Sequence, residues 1–477
     1  MRRSLSALGQ TVAHDQTATR FPSSFFWGAA TSALQVEGVP SADGGGESIW
    51  DVYLRTPNAT KDGSNNLVAC DEYHRWRDDL KLMQQIGLNA YRFSISWSRV
   101  LPDGKGRVNA RGFDYYDQLV DALVGARITP FITVYHGEYP EALQKQGGWV
   151  NPDSPAWFAD YSHLLSSRLS DRVDHWLTHN EPNLTWAFGA DLGFTPPNQK
   201  LSGFDLVRGA NNILLGHGMA VQALCVAAKR PIQVGLPLAR FFSIPASNDQ
   251  TDIDAARKAS FEVKKQGLIP GIPGSAMLSN SWWLDLIFLG KYPEDGMHLY
   301  PEAAQVIRRE DLETISQPLD FCGVNLYAGV TVKAGADGSA MPAPPSSGTK
   351  MTHSGWPETP DILSWGPKFL FERYKKPVVI TENGVSCDDK PTADGKVHDS
   401  ERSAYLDVYL KSLSRALRDG VPVNGYFYWS LLDNFKWKEE YGQRFGLIYV
   451  DFTTQKRILK DSATRYREII RSHGEVL

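Results

Sequence analysis

Eight short apolar runs, amphipathic helical stretches between them, and hydrogen-bonding or aromatic residues where the runs end predict an α/β chain: a single (β/α)8 TIM barrel with extended loops at its C-terminal face. The runs cover residues 25–30, 90–95, 129–135, 173–177, 232–236, 321–326, 378–380 and 425–428. They are continuous rather than alternating, as in strands covered on both faces. Helical patterns at 72–86, 111–126, 156–169, 204–228 and 400–418 separate most of them. Strand–helix alternation implies a parallel sheet, and eight repeats favour closure over an open sheet.

Length and composition agree. The 477 residues could hold two or three average domains or one large barrel with insertions, and no low-complexity linker or composition shift divides them. We expect a disordered tail over residues 1–20 and one domain over 21–477. The Gly- and Pro-rich stretch 334–360 reads as a long surface loop. With 42% hydrophobic and 22% charged residues the chain can bury a large core. A balance of 50 Lys+Arg against 54 Asp+Glu argues against nucleic acid or an acidic membrane surface as partner, and no apolar run is long enough to span a membrane. Cys70, Cys225, Cys322 and Cys387 show neither CxxC nor zinc-ligand spacing and read as buried free thiols. The polar first 20 residues lack an apolar signal core, so a cytoplasmic protein is expected, with a trimmed export leader left open. The oligomeric state is unspecified.

The polar residues fall where chemistry collects in a parallel barrel, at the C-terminal strand ends: Gln35, His136, Asn180 with Glu181, Asn325 with Tyr327, Glu382 with Asn383, and Trp429. Arg92 interrupts its own run. Each alone could be a loop cap, a salt-bridge partner or core packing. Glu181 and Glu382 stand out because each directly follows an apolar strand, where burial raises a carboxyl pKa unless a cation or hydrogen bonds oppose it. Two carboxyls tuned apart in one site suit acetal cleavage, one protonating the leaving oxygen and the other meeting the developing cationic carbon. The 14 Trp, 19 Tyr and 21 Phe suit a core and equally the stacking walls of a sugar site.

Several motifs occur in a fixed order: Phe25-Phe26-Trp27-Gly28-Ala29-Ala30-Thr31-Ser32, Gln35-Val36-Glu37-Gly38, Tyr91-Arg92-Phe93-Ser94-Ile95-Ser96-Trp97-Ser98-Arg99, Asn180-Glu181-Pro182, Thr381-Glu382-Asn383-Gly384 and Trp429-Ser430-Leu431-Leu432-Asp433-Asn434-Phe435. Together, from about Phe21 to the C-terminus, the chain resembles the β-glycosidases of glycoside hydrolase family 1. The resemblance implies a retaining, exo-acting β-glycosidase of the β-glucosidase kind, cleaving small β-glucosides or disaccharides by double displacement, with transglycosylation open to it. It casts Glu181 as acid/base and Glu382 as nucleophile. Arg92 would lie beside Glu382 and Tyr327 would hydrogen-bond it. Asn180 would bind the sugar 2-hydroxyl, Gln35 and His136 the 3- and 4-hydroxyls, and Trp429 would stack on the sugar face. Asn325, Lys436 and Trp437 complete the substrate-binding set. No metal or other cofactor is implied, and the only partner expected is a small β-glycoside.

Two departures from the family pattern are expected to matter. Lys436 stands where the family usually has a Glu that accepts from the 4- and 6-hydroxyls, and a lysine only donates. Either Glu439 or Glu440 swings in to pair with it, or the glycone differs, as a 6-phosphorylated or uronic-acid sugar would. The phospho-glycosidases of the family carry a Ser at this place and a Lys and Tyr a few residues on, where this chain has Gln443 and Phe445. A non-hydrolytic, sugar-binding barrel is the alternative of a different class. The second departure is Gly137, after His136, where the family usually has Trp; the lost indole should widen that wall or let another aromatic, such as Trp356 or Trp365, fill it.

Overall fold

A computed structural model describes residues 20–239, 242–265, 274–344 and 348–477. The tail expected over residues 1–20 lies, Arg20 apart, outside the described residues. Eight parallel strands close into a barrel in sequential order: β1 (Phe26–Ala30), β2 (Ala90–Ser94), β3 (Thr129–Tyr135), β4 (His175–His179), β5 (Gln233–Ala239), β6 (Phe321–Asn325), β7 (Val378–Asn383) and β8 (Val423–Trp429). Each grows from one of the eight apolar runs. The seam joins the two ends of the chain, with Phe26 opposite Gly425 and Ala30 opposite Trp429.

Large and small side chains alternate inside the barrel. Phe131, Phe321 and Phe427 fill the interior with Leu177 and Val379. They fit because the strands beside them carry glycine: a Cβ on Gly28 would lie 2.4 Å from the Phe427 ring, and one on Gly235 would lie 2.3 Å from Phe321. Close packing leaves no slack for that atom.

Helices ring the barrel. Glu72–Ile86 turns Trp76, Met83 and Ile86 inward at helical spacing and ends on Gly87, whose φ of +85° gives the left-handed cap. Ser154–Leu169 and Gly203–Ala227 pack along each other, tied by Ser166 Oγ donating to the Leu224 carbonyl at 2.8 Å. Ala110–Gly125, Ile362–Tyr374, Ser400–Arg418 and Asp461–Arg471 continue the ring.

Two expectations are corrected. The stretch 334–360 is not plain loop: Val330–Ala334 and Ala340–Pro342 join Ser243–Pro245 in a small three-stranded sheet, a long-range pairing invisible to local pattern. Of the four free thiols, Cys70, Cys322 and Cys387 are buried but Cys225 is exposed, beside the outward-facing Val226 on the last turn of its helix. Among the described residues no helix is long and apolar enough to cross a membrane.

Candidate active site

The C-terminal strand ends surround a cavity of about 460 Å³, lined by Gln35, His136, Asn180, Glu181, Asn325, Tyr327, Glu382, Trp429, Lys436 and Trp437 among others. All ten residues that the sequence nominated as catalytic or substrate-binding therefore meet in one place, although they come from six of the eight strand ends or the loops beyond them. The volume is that of a small-molecule pocket. Arg92 lies beneath it, without solvent access.

Local backbone geometry aims both carboxyls. Glu181 follows β4 in the left-handed region, at φ 47° and ψ 51°, an uncommon setting for a residue with a Cβ. Its N–H donates to the Pro237 carbonyl of β5, and its own carbonyl accepts from the N–H groups of Leu184 and Thr185, so the strained residue is held at both ends. On β7 the register slips between Ile380 and Glu382 relative to β6, and between Ile380 and Asn383 relative to β8. Such a bulge re-aims a side chain, here turning Glu382 into the cavity.

Glu382 accepts from Arg92 Nη1 at 2.6 Å on one carboxyl oxygen and from the Tyr327 hydroxyl at 2.8 Å on the other. A charge-assisted bond and a phenol thus spend themselves on an acceptor-only group, the form a nucleophile needs. Among the described residues Glu181 has no cation in contact. Asn325 Nδ2 donates to its Oε1 at 2.8 Å. Removal from bulk water raises its pKa first and the charge of Glu382 raises it further, while Asn325, Lys436 and Arg92 lower it, leaving it at about 7. The two carboxyls sit in different environments and feel each other's charge.

A polar layer couples them. Asn180 Oδ1 accepts from Arg92 Nη2 at 2.6 Å and from Asn325 Nδ2 at 3.1 Å. Its Nδ2 donates to His136 Nε2 at 3.0 Å. The imidazole is neutral, because burial and the charges of Arg92 and Lys436 hold its pKa well below the usual value. Its proton therefore sits on Nδ1, which has no partner among the described residues; neither does Trp429 Nε1. Two unspent donors at a polar cavity wall suit ligand hydroxyls. Gln35 is differently occupied: its Nε2 donates to Asn434 Oδ1 at 3.0 Å and the Phe435 carbonyl at 2.8 Å, while its Oε1 accepts from Ser32 Oγ.

Lys436 does not pair with either nearby glutamate. Glu439 accepts from Lys61 Nζ at 3.0 Å, and Glu440 accepts from the backbone N–H groups of Lys61 and Asp62. These partners lie far away in the chain, which is why spacing pointed elsewhere. Lys436 Nζ stands instead above the Trp429 and Phe445 rings, with no hydrogen bond or ion pair among the described residues. Withdrawal from water lowers its pKa, and the charges of Glu382 and Glu181 oppose that.

At Gly137 another aromatic does fill the wall, though neither Trp356 nor Trp365. A Cβ there would meet Thr185 at 3.4 Å and Trp437 at 3.9 Å. Trp437, packed 4.7 Å from Trp50 and nearly parallel to His136, occupies the space. Trp356 lines the cavity beside Tyr327, and Trp365 packs on Phe369 away from it.

Two supporting residues escaped the sequence reading. Thr133 Oγ1 accepts from Arg92 Nε at 3.0 Å, and Thr381 Oγ1 donates to Asn325 Oδ1 at 2.6 Å. A threonine inside an apolar strand run was the available signal, but strand propensity explains threonine equally well. Among the described residues, no group of three or more His, Cys, Asp and Glu is disposed to hold a metal ion.

Residues 17–475 match the model of glycosyl hydrolase family 1. The chain is 40% identical over 456 residues to a 1,4-beta-D-glucan glucohydrolase of Thermotoga neapolitana, covering 95% of this chain and 99% of that one. It is 39% identical to Beta-glucosidase A of Thermotoga maritima, over 95% of this chain and 98% of the relative. A solved β-glucosidase from Thermotoga maritima in complex with glucoimidazole superposes with a TM-score of 0.85 at 38% identity, over 96% of this chain and all of the other.

Proposed function

The chain belongs to glycosyl hydrolase family 1, and from that premise we propose that it is a retaining, exo-acting β-glucosidase that hydrolyses small β-glucosides and disaccharides by double displacement. The observation that carries the reading is the contrast between two carboxyls in one cavity: Glu382 bound by a guanidinium and a phenol, Glu181 in contact with no cation among the described residues and shifted upward.

Glu382 attacks the anomeric carbon while Glu181 gives its proton to the departing glycosidic oxygen, leaving a glucosyl ester on Glu382. Esterification removes the negative charge that had raised Glu181, so its pKa falls. The same group can then take a proton from water, which displaces the sugar and restores Glu382. An alcohol in place of water gives transglycosylation. His136 Nδ1, Trp429 Nε1 and Asn180 are the groups we assign to the sugar hydroxyls, with the Trp429 ring against the sugar face. A 6-phosphorylated or uronic-acid glycone rests on Lys436 alone and is not favoured by the curated relatives, and a non-hydrolytic barrel leaves the tuned carboxyl pair without a purpose. Free thiols support a reducing, cytoplasmic setting.

The test is covalent trapping. A 2-deoxy-2-fluoro-β-glucosyl reagent with a good leaving group should inactivate the enzyme and leave its label on the peptide containing Glu382. Label on Glu181, or turnover with inversion of the released sugar, overturns the assignment.

A further inference from the structure

The direction in which hydrogen bonds are donated runs unbroken from Arg92 to Glu181, and Thr381 closes the run. A primary amide fits its site either way round, so its neighbours decide which end faces which. Arg92 carries donors only; its Nη2 meets the Asn180 amide at 2.6 Å and must find an oxygen there. That oxygen, Asn180 Oδ1, lies 3.1 Å from the Asn325 amide, which must therefore turn its Nδ2 toward it. The same Nδ2 donates to Glu181 Oε1 at 2.8 Å, the one hydrogen bond that this carboxyl receives among the described residues. The Asn325 oxygen is left facing the other way, where Thr381 Oγ1 donates to it at 2.6 Å. Asn180, Asn325 and Thr381 are all buried.

Thr381 reaches Asn325 because of the bulge in β7. Beside Val324 and Asn325 of β6, β7 places Ile380, Thr381 and Glu382, and Thr381 is the residue without a partner in the register. The insertion that turns Glu382 into the cavity thus also seats a hydroxyl against the amide that serves the other carboxyl. The Thr381 backbone is held separately, by Arg92 Nη1 donating to its carbonyl at 3.0 Å.

We propose that Thr381 is a positioning residue for proton transfer, its hydroxyl locking the Asn325 amide with the N–H toward Glu181. The proposal deepens the β-glucosidase reading and rests on Glu181 as the acid/base there. A donor favours the ionised carboxyl, and the Asn325 bond lowers the Glu181 pKa against burial and the charge of Glu382. Without the hydroxyl, the Asn325 oxygen is buried with no donor, so the amide loosens or turns to accept the proton of Glu181 itself. Either response favours protonated Glu181. The charged and titratable groups around Glu181 are Glu382 on β7, Arg92 on β2, Lys436 beyond β8, the Tyr327 hydroxyl beyond β6 and neutral His136 beyond β3. None of them bonds to Thr381 Oγ1, so removing that hydroxyl leaves their partners in place.

The test is kcat/KM against pH, which reports the free enzyme. Thr381→Val keeps the shape and removes the donor; the alkaline limb should move up by about half a unit to one unit, roughly a three- to tenfold change in proton affinity. Thr381→Ser keeps the hydroxyl and should return the limb to the parent position. Thr381→Ala, smaller and free of any clash, should move the limb as Val does. In Val and Ala the rate should fall more on methyl than on 2,4-dinitrophenyl β-D-glucoside, because only the poor leaving group needs the proton. A limb unmoved in Val and Ala, a limb moved equally by Ser, or a loss uniform across pH and leaving group overturns the proposal and leaves the β-glucosidase assignment intact. An alkaline limb that survives Glu181→Gln overturns the acid/base role of Glu181 and the proposal with it.

Discussion

Lys436 Nζ stands 5.2 Å from the centre of the Trp429 indole, so the ring that would support a sugar also holds a cation on its face. The ammonium is a positive charge in the cavity wall that contacts neither glutamate, yet both feel it.

Replacing it by an acceptor should re-tune the glycone end. Lys436→Glu is expected to raise the ratio of kcat/KM for glucoside over 6-deoxy-sugar glycoside by about tenfold, the scale of one hydrogen bond to a charged group. Aryl β-D-glucoside and aryl 6-deoxy-β-D-glucoside assays measure it. An unchanged ratio shows that Lys436 does not reach the sugar.

The pH profile follows from Glu181. As the proposed proton donor it must be protonated, so kcat/KM should show an alkaline limb that falls as pH rises through about 7. Lys436 lowers that pKa, so Lys436→Met should move the alkaline limb to higher pH. Glu181→Gln should abolish the limb on substrates with activated leaving groups. Rates measured across the acid, neutral and alkaline ranges decide both points.

Azide distinguishes the two carboxyls stereochemically. Glu382→Gly should lose roughly 10⁴-fold in rate, about 5.5 kcal/mol of barrier, and azide entering the vacated space should give the inverted α-glucosyl azide. Glu181→Ala still forms the ester with activated substrates, so azide then gives the β-glucosyl azide. NMR of the products identifies them, and exchanged outcomes mean exchanged roles.

Glu72 offers a stability test outside the cavity. Burial, with Asp79 nearby, raises its carboxyl pKa from 4.5 to about 8, and it accepts from Tyr91 at 2.9 Å. Between those values the unfolded chain releases a proton that the folded chain keeps, so stability falls as pH rises across the window and levels off above it. Glu72→Gln keeps the acceptor and removes the titration. The variant should match the parent at the acid end of that window and exceed it by a few kcal/mol at the alkaline end, because each tenfold difference in proton affinity between folded and unfolded chain is worth about 1.4 kcal/mol. Denaturant melts at both ends provide the readout.

The barrel was legible because strands buried on both faces read as unbroken apolar runs, and each of the eight became a barrel strand. Boundaries were less so: the run 378–380 extends to Asn383 through the register slip that turns Glu382, and polar residues in a bulge look like the end of a strand. Residues nominated by motif meet in the cavity because strand ends share one face. What stayed hidden depends on contacts between distant segments: Glu440 bonded to the Lys61 backbone, Trp437 packed on Trp50, and the pairing of Ser243–Pro245 with Val330–Ala334. Thr133 and Thr381 were visible but mute, since nothing local separates a hydrogen-bonding threonine from one placed for its shape.

The seam between β1 and β8 has a kinetic meaning. Gln35, beyond the first strand, grips Asn434 and Phe435, beyond the last, so part of the cavity wall is stitched from opposite termini of the described barrel. A growing or refolding polypeptide can have most of its sheet in register and still present no finished pocket. Recovery of glucosidase turnover should therefore lag behind recovery of secondary structure, making catalysis a reporter of the moment the ring is completed.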